Sequence, residues 1–202
     1  MSIVFCEKPD SLNWDVIQNI QRKAHELNQR KGLTMQCSKM SGEQLGQELK
    51  NGVCFVAIHE NECIGTASIK TIYHKKWWNY WGNKVAYLCY DAVVPDYQSK
   101  KVYSRLQELR MNYAKMHKLN VIEVDTAEKN RKMKSILLKQ GFVPVLCKTF
   151  PNTKYYSIVF ASWLNKEERI NKYICYTFFY ISYIVVHLLY KPGRVLRCSI
   201  FS

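Results

Sequence analysis

Residues 87–101 read YLCYDAVVPDYQSKK, a run that passes from a strand pattern through a Pro-Asp break into a basic turn. A helical pattern follows over residues 102–116, and a second apolar strand pattern covers residues 121–126. The next helix is expected near Asn130, and it ends at residues 141–142, a Gly-Phe pair typical of a C-terminal cap. The order is βαβα, and the handedness of such crossovers predicts that the two strands are neighbours in one sheet.

This frame resembles the GNAT superfamily of N-acetyltransferases. In that family a strand ending in Val-x-Pro precedes an aromatic residue and the pattern Arg/Gln-x-x-Gly-x-Gly/Ala at the start of a helix. Residues 93–103 read VVPDYQSKKVY and follow this pattern, except that Lys101 and Tyr103 stand where the family has glycines. A second landmark of the family is an Asn that opens a helix running into Gly-Phe, and Asn130 and residues 141–142 match it.

The resemblance covers roughly residues 13–164 and implies an α/β fold of the α+β kind, with a GNAT-like mixed, mostly antiparallel central sheet flanked by helices. We predict a GNAT-like acyltransferase domain over residues 1–164 and a hydrophobic, Tyr-rich, helical C-terminal extension over residues 165–202. Hydrophobic periodicity and turn residues predict the other elements. They are helices over residues 13–31 and after Ser41, a β-hairpin over residues 53–69, and strands over residues 143–147 and 155–163.

The charge of the chain indicates an anionic partner. The 202 residues carry a net charge of +14, which suits cofactor phosphates, an acidic protein or anionic lipid. Nucleic acid is disfavoured, because the basic residues are dispersed and no reader motif is present. The eight cysteines form no Cys-x-x-Cys pair and lie mostly in apolar runs, which predicts buried thiols and no metal site. No apolar run of secretory length occurs near the N-terminus, so a cytoplasmic location is expected.

The resemblance implies direct attack of an amine on the acyl carbon of acetyl-CoA or another acyl-CoA. The cofactor pyrophosphate is expected on backbone N–H groups at the start of the helix near Val102. The backbone of Val93 and Val94 is expected to pair with the pantetheine arm, and Val94 is the candidate N–H donor to the thioester oxygen. The predicted cofactor-binding residues are Val93, Val94, Gln98, Ser99, Lys100, Lys101, Val102, Tyr103, Asn130 and Met133.

Asp91 is the candidate general base. Strand alternation places on one face Tyr87, Cys89, Asp91 and Val93. GNAT enzymes often carry the base, or a carboxylate that relays through water, on that side of the strand. The family's usual general acid is a Tyr four residues before the Gly of Gly-Phe, a place held here by Leu137. Three tyrosines stay open as alternatives: Tyr90, Tyr155 and Tyr156.

Residues 73–82, YHKKWWNYWG, combine large aromatic side chains with lysines in an expected loop between strands. Such faces stack on sugar rings or bases, and they also favour membrane interfaces and protein contacts. Because this loop precedes the cofactor strand, we expect it to form one wall of the acceptor site, the alternatives being a flap over the core or a dimer contact. The predicted substrate-binding residues are Trp77, Trp78, Tyr80 and Trp81.

The 18-residue run 173–190 contains no Asp, Glu, Lys or Arg, and its length is at the low edge of the roughly 20 residues that a span needs. Aliphatic side chains recur on one side at helical spacing, whereas tyrosines gather towards the other. The aliphatic stripe consists of Ile170, Ile174, Phe178, Ile181, Val185 and Leu188. This pattern favours peripheral membrane contact, or packing on the domain or a second copy, through residues 170–190.

The sequence therefore predicts an N-acyltransferase that moves an acetyl or other acyl group from acyl-CoA to an amine of a small molecule, with amino sugars as one candidate class. An acidic acyl-carrier protein is an alternative donor, because the turn lacks its glycines and the chain is basic. A non-catalytic GNAT scaffold used in protein or membrane association is the other alternative.

Overall fold

The computed structural model describes residues 2–30, 32–33, 35–74, 76–79, 84–150, 153–165 and 170–189. The strands are β1 (Val4–Glu7), β2 (Gly52–His59), β3 (Glu62–Tyr73), β4 (Lys84–Val93), β5 (Val121–Ala127), β6 (Val143–Thr149) and β7 (Tyr156–Trp163). The helices are α1 (Trp14–Arg30), α2 (Gly42–Glu48), α3 (Val102–Met116), α4 (Arg131–Lys139) and α5 (Lys172–Leu189). Short 3-10 turns cover Gln36–Lys39, Trp77–Asn79 and Pro95–Tyr97.

The seven strands form one sheet in the order β1-β2-β3-β4-β5-β7-β6. Four neighbouring pairs are antiparallel: β1–β2, β2–β3, β3–β4 and β6–β7. This confirms the predicted mixed, mostly antiparallel sheet flanked by helices, and it confirms that β4 and β5 are neighbours. The chain divides into two compact units, Met1–Glu123 with Trp163–Glu168, and Val124–Ser162 with Arg169–Ser202.

The first unit packs α1 and α2 on one side of the β2–β4 meander. Helix α2 begins at the predicted cap, where Ser41 and Gln44 form a reciprocal capping box. Ile17 of α1 and Leu45 of α2 are fully buried against Val56 of β2, so the apolar faces of both helices contribute to one core. Strand β1 was not predicted, because its four residues become a strand only by pairing with β2.

Strand β4 contains a bulge that changes which side chains share a face. Thr66 pairs with Ala92, and Ser68 pairs with Cys89, so Ala67 alone lies opposite two residues, Tyr90 and Asp91. Tyr90 has a φ of 56°, a left-handed conformation that breaks the extended strand.

The bulge sends the side chains of Tyr90 and Asp91 to different helices. The hydroxyl of Tyr90 donates to Glu48 of α2 at 3.3 Å, whereas the carboxylate of Asp91 accepts from Arg110 of α3. The prediction that Asp91 shares a face with Cys89 is therefore wrong, because an inserted residue shifts the period of two by one position.

In the second unit, α5 packs along β6. Cys175 and Phe179 are its buried side chains, and the hydroxyl of Ser182 accepts a hydrogen bond of 2.9 Å from the backbone N–H of Cys147. This contact satisfies a donor on a strand at the end of the sheet order, where an unpaired N–H would otherwise face solvent. The helix itself was predicted, whereas residues 166–169 and 190–202 of the predicted extension lie outside the described part of the chain.

A polar cluster ties α5 to the residue that follows β5. The hydroxyl of Tyr183 donates to Glu128 at 2.5 Å, and the imidazole of His187 lies 3.5 Å from the same carboxylate. The ring of His187 lies between those of Tyr156 and Tyr183, at centroid distances of 4.0 and 3.9 Å. By length and composition alone, α5 is the one helix in the described part of the chain that could also cross a membrane.

The Tyr183–Glu128 hydrogen bond predicts a specific dependence of stability on pH. That bond, followed by burial, raises the pKa of Tyr183 to about 12, whereas a tyrosine in an unfolded chain titrates near pH 10. The unfolded state therefore loses this proton first, so the stabilisation is complete below about pH 10 and disappears as the pH rises through about 12.

We expect the difference in unfolding free energy between the native chain and Tyr183→Phe to shrink from about pH 10 to about pH 12 in urea titrations. Tyr180→Phe is the matched control, because it removes a hydroxyl from an exposed position of the same helix. A difference between native chain and Tyr183→Phe that stays constant over this range would contradict the assignment.

Candidate active site

Helix α3 carries a buried arginine towards the β4 bulge. Arg110 lies one turn from Leu106 and one turn from Ala114 on the buried face of the helix, and its side chain is 0% exposed. Its guanidinium donates to both carboxylate oxygens of Asp91, to the amide oxygen of Gln107, and to the backbone oxygen of Ser68 at 3.2 Å. Burial opposes the charge of Arg110, but the neighbouring Asp91 carboxylate outweighs burial and holds the arginine pKa above its ordinary value.

The contacts of Asp91 disfavour the predicted role of general base. Both of its oxygens accept from Arg110, and the Asp91 side chain is only 14% exposed. This carboxylate is the counter-charge that the fully buried guanidinium of Arg110 contacts, and a buried charge needs such a partner. The geometry therefore assigns Asp91 to holding the bulge together with Arg110.

The other side of the bulge is held by α1. The backbone oxygen of Tyr90 accepts from the side-chain amide of Gln21 at 2.6 Å and from the hydroxyl of Thr66 at 3.1 Å. Gln21 is fully buried and also donates to Thr66 at 2.9 Å. A bulge removes ladder hydrogen bonds, and here buried side chains from two helices replace them.

His25 of α1 lies against the same segment of β4. Its Nδ1 is 3.2 Å from the side-chain amide of Asn28, and the ring lies near enough to the backbone of Asp91 for that residue to favour the protonated imidazole and so raise the His25 pKa. If Nδ1 accepts from Asn28, then Nε2 carries the ring proton. Burial lowers the pKa of His25 from its ordinary value, although the neighbouring Asp91 opposes this shift, so the environment favours the neutral ring.

The turn that joins β4 to α3 has the backbone conformation of a glycine turn without the glycines. Ser99 has a φ of 67° and Lys101 a φ of 62°, both in the left-handed region that costs about 1–2 kcal/mol for a residue with a side chain. Lys101 is the N-cap of α3 and makes no side-chain capping hydrogen bond. The first N–H groups of α3 are therefore not capped by that side chain and point towards the turn.

Two further predicted residues of this turn have defined contacts. The side-chain amide of Gln98 donates to the backbone oxygen of Val93 at 3.2 Å, which closes the turn back onto the end of β4. The ammonium of Lys100 lies 4.7 Å from the ring centre of Tyr97, and the Tyr97 hydroxyl is 2.8 Å from Nδ1 of His59. The β2–β3 turn thus supports the basic turn through His59.

Tyr103, which replaces the second glycine of the family pattern, is turned towards the ion pair. Its ring centre lies 5.9 Å from the guanidinium carbon of Arg110. Burial, followed by the charge of Asp91, raises the pKa of the Tyr103 hydroxyl. Val102 begins the helix and is buried where it meets Gly65 of β3, at which a Cβ would come within 3.1 Å of the valine side chain.

The predicted N–H donor at Val94 is already used. Its backbone N–H donates to the oxygen of Ile64 in β3 at 3.0 Å, which excludes it as a free donor to a thioester oxygen. Successive N–H groups of a strand point to opposite edges, so the N–H of Val93 is directed away from β3. This moves the expected donor from Val94 to Val93.

The aromatic loop is only partly available to a substrate. Trp78 is 3% exposed, its indole donates to Glu123 at 2.6 Å, and its backbone oxygen accepts from Trp163 at 2.9 Å. Glu123, itself buried, also lies 3.2 Å from the imidazole of His74. Trp78 is therefore a core residue rather than the predicted stacking surface, because its polar edge is tied inside the fold.

Of the other predicted aromatic residues, Trp77 is half-buried and packs edge-on against Trp78 at 5.4 Å. Tyr80 and Trp81 lie outside the described residues. In the second unit, Asn130 accepts from the backbone N–H of Met133 at 3.2 Å and donates to Thr126 at 3.2 Å. Asn130 and Met133, both predicted to bind the cofactor, thus form the N-terminal cap of α4: Asn130 is the cap residue and Met133 supplies the N–H that it caps.

Sequence reasoning missed Arg110, Gln21 and His25. The signal for Arg110 was a charged residue on an otherwise apolar helix stripe, which requires a buried partner. Gln21 was a polar residue one position after the apolar Ile20, on the buried face of α1. No sequence signal distinguished His25 from an exposed histidine, because its contact with β4 arises only in the folded chain.

Comparison with known proteins identifies relatives of this arrangement. A model of the acetyltransferase (GNAT) family matches residues 14–142, more than half of the 202-residue chain. No curated protein sequence matches the chain.

Solved structures share the fold at low sequence identity. An acetyltransferase from Streptococcus agalactiae superposes with a TM-score of 0.60 at 20% identity, covering 80% of this chain and 98% of that one. PaiA N-acetyltransferase from Thermoplasma acidophilum, solved with coenzyme A, gives 0.60 at 15% identity, with coverages of 81% and 99%. Arabidopsis thaliana NAA60, solved with a bisubstrate analogue, gives 0.60 at 14% identity, with coverages of 81% and 99%.

The buried ion pair predicts a large stability effect. We expect Asp91→Asn to lower the unfolding free energy by about 3 kcal/mol, because it leaves the buried Arg110 charge without a partner. Replacing both residues, with Asp91→Leu and Arg110→Met, should recover part of that loss. Both effects are measured by urea denaturation.

The matched control is Glu108→Gln, which breaks the exposed ion pair between Arg105 and Glu108 on the same helix. We expect this control to lower the unfolding free energy by less than about 1 kcal/mol. Equal losses in Asp91→Asn and Glu108→Gln would contradict a structural role for the buried pair.

Proposed function

Because this chain belongs to the acetyltransferase (GNAT) family, we propose that it transfers an acetyl group from acetyl-CoA to an amine of a small molecule. The general activity of the family is acyl transfer from acetyl-CoA to amines, and the chain is an N-acetyltransferase at that level. The proposals below concern the residues that carry the reaction and the class of acceptor. Amino sugars are one acceptor class to be tested.

The observation that carries the proposal is the turn between β4 and α3. Left-handed residues in a short turn aim successive backbone N–H groups into a concavity that suits an anion. Ser99 and Lys101 hold that conformation although neither is glycine, and the following helix start has no side-chain cap. We propose that residues 98–103 bind the pyrophosphate of acetyl-CoA, with the exposed ammonium groups of Lys100 and Lys101 adding favourable charge.

The end of β4 is the proposed site of the thioester. The N–H of Val93 points away from β3, where it could donate to the thioester oxygen and stabilise the charge that develops during attack. The bulge at residues 90–91 fixes the direction of this N–H, because Arg110 and Gln21 anchor both sides of it. The thiolate leaves without an acid at the family position, since Leu137 is apolar and fully buried.

We propose His25 as the general base in place of Asp91. Burial favours the neutral ring, and the neighbouring Asp91 would favour the imidazolium formed when Nδ1 takes a proton. An amine acceptor would displace the Asn28 amide from Nδ1, a contact of 3.2 Å. The base then removes the proton as the amine nitrogen attacks the acyl carbon.

Isothermal titration of the full chain with acetyl-CoA tests the proposed donor. We expect a dissociation constant in the micromolar range, roughly 1–100 µM, that weakens with salt because a basic turn binds phosphates. Adenosine, which lacks the pyrophosphate, is the matched control ligand and should bind far more weakly. No heat with acetyl-CoA, in a chain shown to be folded by circular dichroism, would reject this donor. Turnover only with an acylated carrier protein would instead favour the alternative donor.

Substitution of His25 tests the proposed base. We expect His25→Gln to lower kcat by about 100-fold or more while the acetyl-CoA dissociation constant stays within about twofold. Release of CoA is measured by chromatography, using a panel of small amines that includes amino sugars. In the native chain kcat should fall only below about pH 6.5, because burial lowers the pKa of His25 and the protonated ring is no base.

The matched control is His117→Gln, which removes a histidine at the opposite end of α3 from the turn. It should leave kcat and its pH profile within about twofold of the native values. A His25→Gln enzyme with native kcat at pH 7 would remove His25 as the base.

A further inference from the structure

Helix α5 presents two different faces. One face contacts β6 through Cys175 and Phe179, and it carries the hydroxyl of Ser182 that accepts from the Cys147 backbone. The helix is also tied through the Tyr183–Glu128 hydrogen bond. These contacts cover one side of the helix, and they use the hydroxyl groups of Ser182 and Tyr183.

The opposite face is apolar and exposed. Ile174, Ile181 and Leu188 recur every seven residues, and their exposed fractions are 48%, 53% and 78%. Phe178 and Ile184 extend the same face and are also about half exposed. We call these five residues the exposed α5 face. Four of them, Ile174, Phe178, Ile181 and Leu188, belong to the aliphatic stripe of the sequence, so much of that stripe is exposed to solvent.

The exposed α5 face presents no free hydroxyl from Thr177, the polar residue within it. The Thr177 hydroxyl donates to the backbone oxygen of Tyr173, 2.9 Å away within the same helix. Tyr173 and Tyr180 lie beside the face and are 68% and 58% exposed. Tyrosine at the boundary of an apolar face suits a surface that is hydrocarbon on one side and water on the other.

The positive charge on both sides of α5 in the sequence favours a negatively charged partner. Lys172 begins α5, residues 173–190 contain no Asp, Glu, Lys or Arg, and Lys191, Arg194 and Arg197 follow in the sequence. The whole chain carries a net charge of +14. Cations that bracket an apolar helix face complement anionic lipid headgroups, and they would repel a second copy of this basic chain.

We propose that the exposed α5 face docks on the surface of an anionic lipid bilayer, with the helix axis in the plane of the interface. Insertion of aliphatic and aromatic side chains a few ångströms into the headgroup region is the mode by which amphipathic helices bind membranes. The face packed on β6 stays in place, because its contacts with Cys147 and Glu128 lie on the other side of the helix. The proposed acetyl transfer is not needed for this docking.

Vesicle flotation of the full chain tests the proposal. The probe is a phosphatidylcholine vesicle with about one third phosphatidylserine, compared with pure phosphatidylcholine. We expect the chain to float with the anionic vesicles and to be released as salt rises from about 0.1 M to about 1 M. The double variant Ile174→Gln with Ile181→Gln should reduce the bound fraction about tenfold or more.

The matched control is Met116→Gln with Leu138→Gln, which removes two exposed apolar side chains from α3 and α4. It should bind vesicles as the native chain does, and circular dichroism with urea denaturation should show that both double variants are folded. These controls separate loss of the membrane contact from loss of structure.

Three kinds of result would overturn the proposal. The first is no flotation of the native chain, or flotation that the α5 double variant leaves unchanged. The second is a dimer in light scattering without vesicles that the α5 variant abolishes, which would make a second copy the occupant. The third is resistance to extraction by alkaline carbonate, which would indicate a spanning helix.

Discussion

The ion pair between Arg110 and Asp91 is the interaction on which the site depends. It lies where β4 carries one residue too many for its partner strand, and it supplies the hydrogen bond that Ser68 of β3 would otherwise lack. On the α1 side, the amide of Gln21 donates a hydrogen bond to the backbone oxygen of Tyr90. A bulge held from two helices fixes the direction of every later N–H of β4, because strand groups alternate strictly from the point where the register restarts. Both oxygens of the carboxylate that holds the bulge accept from Arg110.

The turn after β4 shows how a backbone conformation can persist after its usual residue is lost. Glycine adopts a positive φ without cost, whereas Lys101 and Ser99 hold it against a steric penalty of about 1–2 kcal/mol each. Gln98 and Tyr97 anchor the turn to the strand end and to His59, which offsets that penalty. Strain that neighbouring contacts maintain is typical of positions where the backbone itself meets a ligand. At Lys101 the positive φ is thus kept although the family's glycine is absent, whereas Tyr103, at the second glycine position, lies within α3.

The two sides of helix α5 differ in what they contact, although their hydropathy is similar. Both of its sides are apolar, but one meets β6 and carries the polar ties to Cys147 and Glu128, whereas the other remains in contact with solvent. Exposed apolar area of this continuity is unusual for a soluble surface and marks a contact site. Basic residues flank the helix in the sequence, so a partner of this face should be negatively charged. The proposed anionic lipid surface is both apolar below its headgroups and negatively charged.

The sequence by itself determined the order of elements, the βαβα frame around residues 87–142, the caps at Ser41 and Asn130, and the family to which the chain belongs. Those features follow from local periodicity and turn chemistry, which a linear pattern records. The tertiary structure alone decided that Asp91 pairs with Arg110, that the N–H of Val94 is used by Ile64, that Trp78 is buried, and that His25 contacts β4. The physical reason is the β4 bulge together with long-range burial. One inserted residue reverses the alternation on which any face assignment rests, and only the packed chain shows which polar groups already have partners.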